Sequence, residues 1–175
     1  EVFDRTADVK GAQLVFCDLG IPKAENEKAT ADTDSDKIVD DGSEGDNASV
    51  YDRLMDALKR RGIPDEQIAF VQQAKNKDEQ AELFQKVDRG DLRILIGSTA
   101  RMGAGTNCQH HLVALHDLDA PWRPRDLEQR HGRILRQGNQ NSEVEIFNYV
   151  IKDSFDANMW EKLKNKASII AQAMS

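Results

Sequence analysis

Gln129, Arg133 and Arg136 stand at i, i+4 and i+7 in the run Asp126-Leu-Glu-Gln-Arg-His-Gly-Arg-Ile-Leu-Arg-Gln-Gly138, a spacing that predicts all three on one face of a helix. Neighbouring like charges on a helix repel. Two arginines held side by side therefore suit a polyphosphate, whose oxygens the planar guanidinium meets two at a time, and Gly132 beside Arg133 leaves room for another backbone to approach. The ligand this points to is a nucleoside triphosphate; the competing reading is a basic, solvated helix that bends at its glycine. Arg130 falls off that face and is expected to make a structural ion pair.

Two further stretches carry residue types that could meet a ligand. After the apolar run Ile94-Leu-Ile-Gly97 comes Ser98-Thr-Ala-Arg-Met-Gly-Ala-Gly-Thr-Asn107, in which Gly103 and Gly105 permit left-handed backbone angles and close approach; an ordinary glycine turn is the plain alternative. Arg101 beside these glycines either reaches a nucleic-acid phosphate or sits in solvent. In His116-Asp-Leu-Asp-Ala-Pro-Trp-Arg-Pro124, Pro121 and Pro124 stiffen the chain, and Trp122 either packs inward or stacks on a base or sugar, packing being the favoured use.

The arginine run resembles motif VI of superfamily-two helicases and translocases, Gln-x-x-Gly-Arg-x-x-Arg, and its trailing Gln137-Gly138 resembles the Swi/Snf-type branch. Ser98, Gly103, Gly105 and Asn107 match the Ser-x-x-x-x-Gly-x-Gly-x-Asn pattern of motif V in that branch, with Thr106 in place of the usual leucine and Cys108 in place of another apolar residue. The segment around Trp122 is similar to the Asp-Pro-x-Trp-Asn-Pro stretch before motif VI, with Asp119 matching the acid and Arg123 departing from asparagine. Gln13 to Asp18 resembles motif IV. The resemblance covers Gln13 to Val150, and the chain also looks like the helicase segment of large methylase-and-helicase proteins of phages and mobile elements. It implies that Arg133 and Arg136 are catalytic fingers on the terminal phosphate of ATP, assisted by Gln129. It implies further that Gly103, Gly105, Asn107 and Gly132 serve the nucleotide, and that Ser98, Arg101, Trp122 and Arg123 serve the nucleic acid.

The elements that must position these residues are legible as alternating strand and helix signals. Strands are expected at Gln13–Cys17, Ile68–Val71, Leu92–Gly97, His111–Leu115 and Val144–Val150, and helices at Val50–Arg61, Lys75–Arg89, Arg125–Arg136 and Ser154–Gln172. Such alternation implies right-handed crossovers and an α/β fold, a mostly parallel sheet with helices on both faces. The resemblance makes this a RecA-like three-layer sandwich. Ligands in such sheets sit at the carboxyl ends of the strands, where the motifs above fall.

The chain has 175 residues, 39% hydrophobic and 31% charged, with a net charge of −7, the composition of a soluble globular domain. No apolar run approaches the roughly 20 residues of a membrane helix, and no signal peptide is evident. Between Gly20 and Asn47 nine acidic residues face three lysines, so this segment holds −6 of the −7. With little apolar content beyond Ile38 and Val39 it is expected to be a disordered acidic insertion at 20–47. Asp32 to Asp36 lacks the glycine and the terminal glutamate of a calcium loop. Cys17 and Cys108 lack metal or disulfide spacing and are expected as small buried hydrophobes in a reducing cytoplasm. The four histidines show no ligand spacing either.

No G-x-x-x-x-G-K-[ST] loop and no acidic magnesium box occurs in the sequence. The chain alone is therefore expected to be inactive, a single second lobe (1–175) with a closing helix at 154–172, whose partners are nucleic acid, DNA favoured over RNA, and a first RecA-like lobe of the same parent. ATP is the expected cofactor, with magnesium held through that first lobe. The other class considered is a noncatalytic RecA-like or flavodoxin-like module that binds nucleic acid or docks a protein through the arginine helix.

Overall fold

The computed structural model describes residues 1–20, 49–103 and 107–173. Its elements run α1 (Val2–Arg5), β1 (Ala12–Phe16), α2 (Val50–Arg60), β2 (Ile68–Phe70), α3 (Lys77–Asp88), β3 (Ile94–Gly97), α4 (Thr99–Met102), β4 (Leu112–Asp117), α5 (Pro124–Ile134), β5 (Glu145–Asn148) and α6 (Phe155–Ala173). The acidic insertion, Gly105 and Thr106 lie outside the described residues, except for Gly20 at the insertion's edge.

Five strands form one sheet in the order β2-β3-β1-β4-β5, every pair parallel. The strand sequences explain why. Each of β1, β2 and β3 is buried at every position, as a strand covered on both faces must be. Side chains alternate between the faces with period two. Leu14, Phe16, Leu95, Leu112 and Leu115 pack with Phe84 and Val87 of α3 and Ile134 of α5, whereas Val15, Cys17, Ile68, Phe70, Ile94 and Ile96 pack with Tyr51, Leu54, Met55 and Leu58 of α2. Both cysteines are buried, and burial raises both thiols to about 12, so they are neutral packing groups as expected.

Helix ends follow their caps. Ser49 and Asp52 form a reciprocal capping box at α2, the Asn76 side chain accepts from Glu79 N at α3, and Pro124 occupies the first turn of α5. β1 lies centrally, with β3 on one side and β4 on the other. The chain passes from β1 to β2 on one side and from β4 to β5 on the other, and this reversal opens a crevice at the carboxyl ends of the central strands. Asp18, Ser98 and Asp117–Asp119 stand there.

Candidate nucleotide and nucleic-acid site

The centre of that crevice is Arg130, which has no exposed surface. A guanidinium carries five N–H groups, and all five are engaged. Nε donates to Thr99 Oγ1 at 2.7 Å, Nη1 to Asp117 Oδ1 and to the Asp119 carbonyl at 2.9 Å each, and Nη2 to Asp18 Oδ2 at 2.8 Å and Asp119 Oδ1 at 2.9 Å. Burial works against the charge, but Asp18, then Asp119 and Asp117, more than restore it and hold this arginine above its ordinary value. The carboxylates are satisfied in turn. Asp18 accepts from the Thr99 N–H and hydroxyl at 2.7 Å each, Asp119 accepts from the N–H groups of Asp18 and Leu19, and Asp117 meets His131 Nε2 at 2.9 Å. The structural ion pair expected of Arg130 is thus present, with Asp18, Thr99 and Asp117 as partners that sequence reasoning missed. Acidic residues closing two apolar strands were the available signal.

One turn further along α5, Arg133 is also buried, and its Nη2 donates to the Gly103 carbonyl at 2.5 Å. Burial lowers its pKa, and the like charge of Arg136 pushes the same way. Gln129 lies against the same glycine. A Cβ on Gly103 would collide with the Thr99 carbonyl and come within 3.2 Å of Gln129 Cδ. Gly103 has φ −71°, so close approach, not a left-handed backbone, requires glycine here.

Arg136 departs from expectation. α5 ends at Ile134, with Leu135 at ψ 26° and Gly138 at φ +94°, so the i+7 position is no longer helical. Arg136 is exposed on the turn that follows while remaining close enough to act on Arg133. Gly132 also faces elsewhere. It lines a groove of about 470 Å³ between α5 and α6, with Leu127, Leu135, Trp160 and Leu163, and apart from its chain neighbours and the adjoining α5 backbone nothing described lies within 4 Å of where its Cβ would be.

Ser98 is buried and its hydroxyl caps α4, accepting from Arg101 N. Arg101 is half-buried, and its carbonyl accepts from Gln80 Nε2 at 2.5 Å. Asn107 is exposed. Trp122 is 59% exposed, which corrects the inward-packing reading. Its neighbour Pro121 takes the buried place, while Trp122 and Arg123 stand together in solvent just before α5. Trp122 and Arg123 are thus exposed and Arg101 half-buried, whereas Arg133 and Gly103 are buried together with the exposed Gln129 resting its amide against Gly103.

With known proteins the chain shares the following. The model of the helicase conserved C-terminal domain matches residues 43–138, just over half of the chain. The uncharacterized ATP-dependent helicase YqhH of Bacillus subtilis (strain 168) is 34% identical over 100 residues, 56% of this chain and 16% of that protein. The helicase-like transcription factor of Oryctolagus cuniculus is 33% identical over 100 residues, 57% of this chain and 10% of that protein. The chain thus spans well under a fifth of either relative. Among solved structures, the C-terminal part of the Fun30 ATPase domain superposes with a TM-score of 0.62 at 19% identity, covering 93% of this chain and 42% of that one.

Proposed function

Because this chain belongs to the family of helicase conserved C-terminal domains, we propose that it is the second motor lobe of an ATP-dependent, Swi/Snf-like nucleic-acid translocase. Its fold is the RecA-like α/β sandwich expected of such a lobe. ATP and its magnesium sit on a first lobe of the same parent protein, and this lobe closes the cleft with Arg133 and Arg136.

Arg133 carries this reading: a buried guanidinium held against a backbone carbonyl of the loop resembling motif V, beside an exposed second arginine. In the closed state Arg133 exchanges the Gly103 carbonyl for a phosphate oxygen. A buried donor already stripped of water gives up less solvation to make that contact, and it stabilises charge that develops on the transferred phosphoryl group. Gln129 keeps the loop beside the arginines. Trp122, Arg123 and Arg101 face the nucleic acid, DNA favoured over RNA, where an aromatic face stacks and guanidiniums neutralise phosphates.

Steady-state ATPase measurements on the full-length parent test this. Arg133→Ala and Arg136→Ala are each expected to leave ATP binding largely in place and to lower turnover on the order of 10³-fold, as for other arginine fingers. Arg133→Lys is expected to rescue poorly, since a point charge cannot reproduce the planar fork. Near-normal turnover in a folded double alanine variant would remove the motor assignment.

A further inference from the structure

Neutralising one buried guanidinium takes one carboxylate, and Asp117, itself without exposed surface, already stands 2.9 Å from Arg130. The structure supplies much more than that, and the surplus points in one direction. Thr99, in the first turn of α4, accepts from Arg130 Nε while giving both its own N–H and its hydroxyl to Asp18, which is held in turn by Arg130 Nη2. Three residues after Arg130, Arg133 holds Gly103, the residue that closes α4. The segment Ser98–Gly103 is therefore gripped at both ends by successive arginines of one helix. Between the grips, the Met102 and Gly103 N–H groups donate to the Ser98 and Thr99 carbonyls in a single helical turn, a short rigid bar.

We propose that Arg130 is a positioning residue: by clamping the start of the Ser98–Gly103 loop to α5, it makes loop and arginine helix a single body, so that movement of Arg133 at the nucleotide is carried to the loop that faces nucleic acid. This rests on the motor reading above. Without the Thr99 and Asp18 contacts, a loop that Arg133 has released at Gly103 follows α5 less closely, through the packing of Gln129 against that glycine. With them, release of one end still drags the other. The clamp acts on the coupling between the two ligands, a free energy distinct from the affinity for either.

Thr99→Val keeps the side chain's size and leaves Arg130 its four other hydrogen bonds. Arg130→Lys keeps the charge and loses the fork. Both are measured in the parent protein by hydrogen exchange of the 98–103 amides and by ATP turnover with and without duplex DNA. Both variants are expected to raise exchange across 98–103 and to lower the ratio of DNA-stimulated to unstimulated turnover about tenfold, with the unstimulated rate within about threefold of the parent's. A purely structural arginine would lower the melting temperature and leave that ratio unchanged. An unchanged ratio in folded Thr99→Val, or unchanged exchange of the loop, overturns the proposal. A parent without ATPase activity whose loop is nevertheless released by Thr99→Val overturns the motor reading and leaves the clamp standing.

Discussion

Arg130 Nη1 and Asp117 Oδ1 lie 2.9 Å apart, and neither side chain has any exposed surface. The contact joins the middle of α5 to the last residue of β4, and Asp119, 4% exposed, shares the same guanidinium. Removing the arginine strands two carboxylates where water cannot reach them. Arg130→Ala is therefore expected to cost about 3–5 kcal/mol, as breaking a buried pair does. For a chain of this length that amounts to a fall in melting temperature of roughly 10 °C or more. Calorimetry decides the matter, and a loss below about 1 kcal/mol, the worth of an exposed pair, would contradict it.

Gly103→Ala places a methyl group on the Thr99 carbonyl and against Gln129. The carbonyl is backbone and cannot turn away, so the loop itself must shift, at about 1–3 kcal/mol for an overpacked position. The expected signature is local. Amide exchange should rise at Met102 and Gly103, whose N–H groups bond back to Ser98 and Thr99, while α3 and β2 keep their protection. Unchanged exchange at those two amides would show that the space exists after all.

His116 lies flat on Phe147, ring centroids 4.9 Å apart at 8°, with Gln13 Oε1 and the Tyr149 hydroxyl at its two nitrogens, each 3.0 Å away. Burial lowers its pKa, with Asp117 and Glu145 opposing. The unfolded chain, with an ordinary value of 6.5, then takes up the proton first as the solution is acidified. This contribution to stability is complete above the unfolded value and is lost as the pH falls toward the lower, folded one. The melting temperature is expected to fall as the pH drops below the unfolded value of 6.5, and less steeply in His116→Gln. Parallel curves for parent and variant would exclude His116 as the source.

Gly20 and Val50 bracket the acidic insertion, and they are neighbours in space. A Cβ on Gly20 would meet Val50 Cγ2 at 2.7 Å. Removing Glu25–Asp46 takes out nine acidic residues and two lysines, which leaves the −7 chain formally neutral. A shorter connection between ends already so close changes the closure entropy only slowly, so we expect the deletion to retain one cooperative thermal transition. Loss of that transition would mean the insertion contributes to the fold.

Period and punctuation made the nine main elements legible in the sequence, because a strand covered on both faces must be apolar throughout and each helix needs one apolar stripe. Ends were less legible. α5 was expected to continue to Arg136 but stops at Ile134, and the glycine that turns the chain, Gly138, stands four residues later. α4 escaped notice because one helical turn capped by Ser98 has no room for a period. Of the candidate site, Arg133 and Gly103 could be paired only through motif spacing. The ring around Arg130 could not be read at all, since its partners lie 11, 13, 31 and 112 residues away and only the sheet order brings them together. Trp122 shows the limit on single residues: its large flat surface favoured an inward side chain, and the neighbouring Pro121 is buried instead.

Those sequence separations also set an order of assembly. As the chain emerges during synthesis, Asp18, then Asp117 and Asp119, arrive before the guanidinium they share, and the first three-quarters of the molecule can gather its strands only by bringing three like charges to one edge. Burying carboxylates without the guanidinium they share is costly, and in the folded chain that guanidinium comes from α5. Arg130, made last of the four, is the group whose arrival lets those carboxylates be buried together.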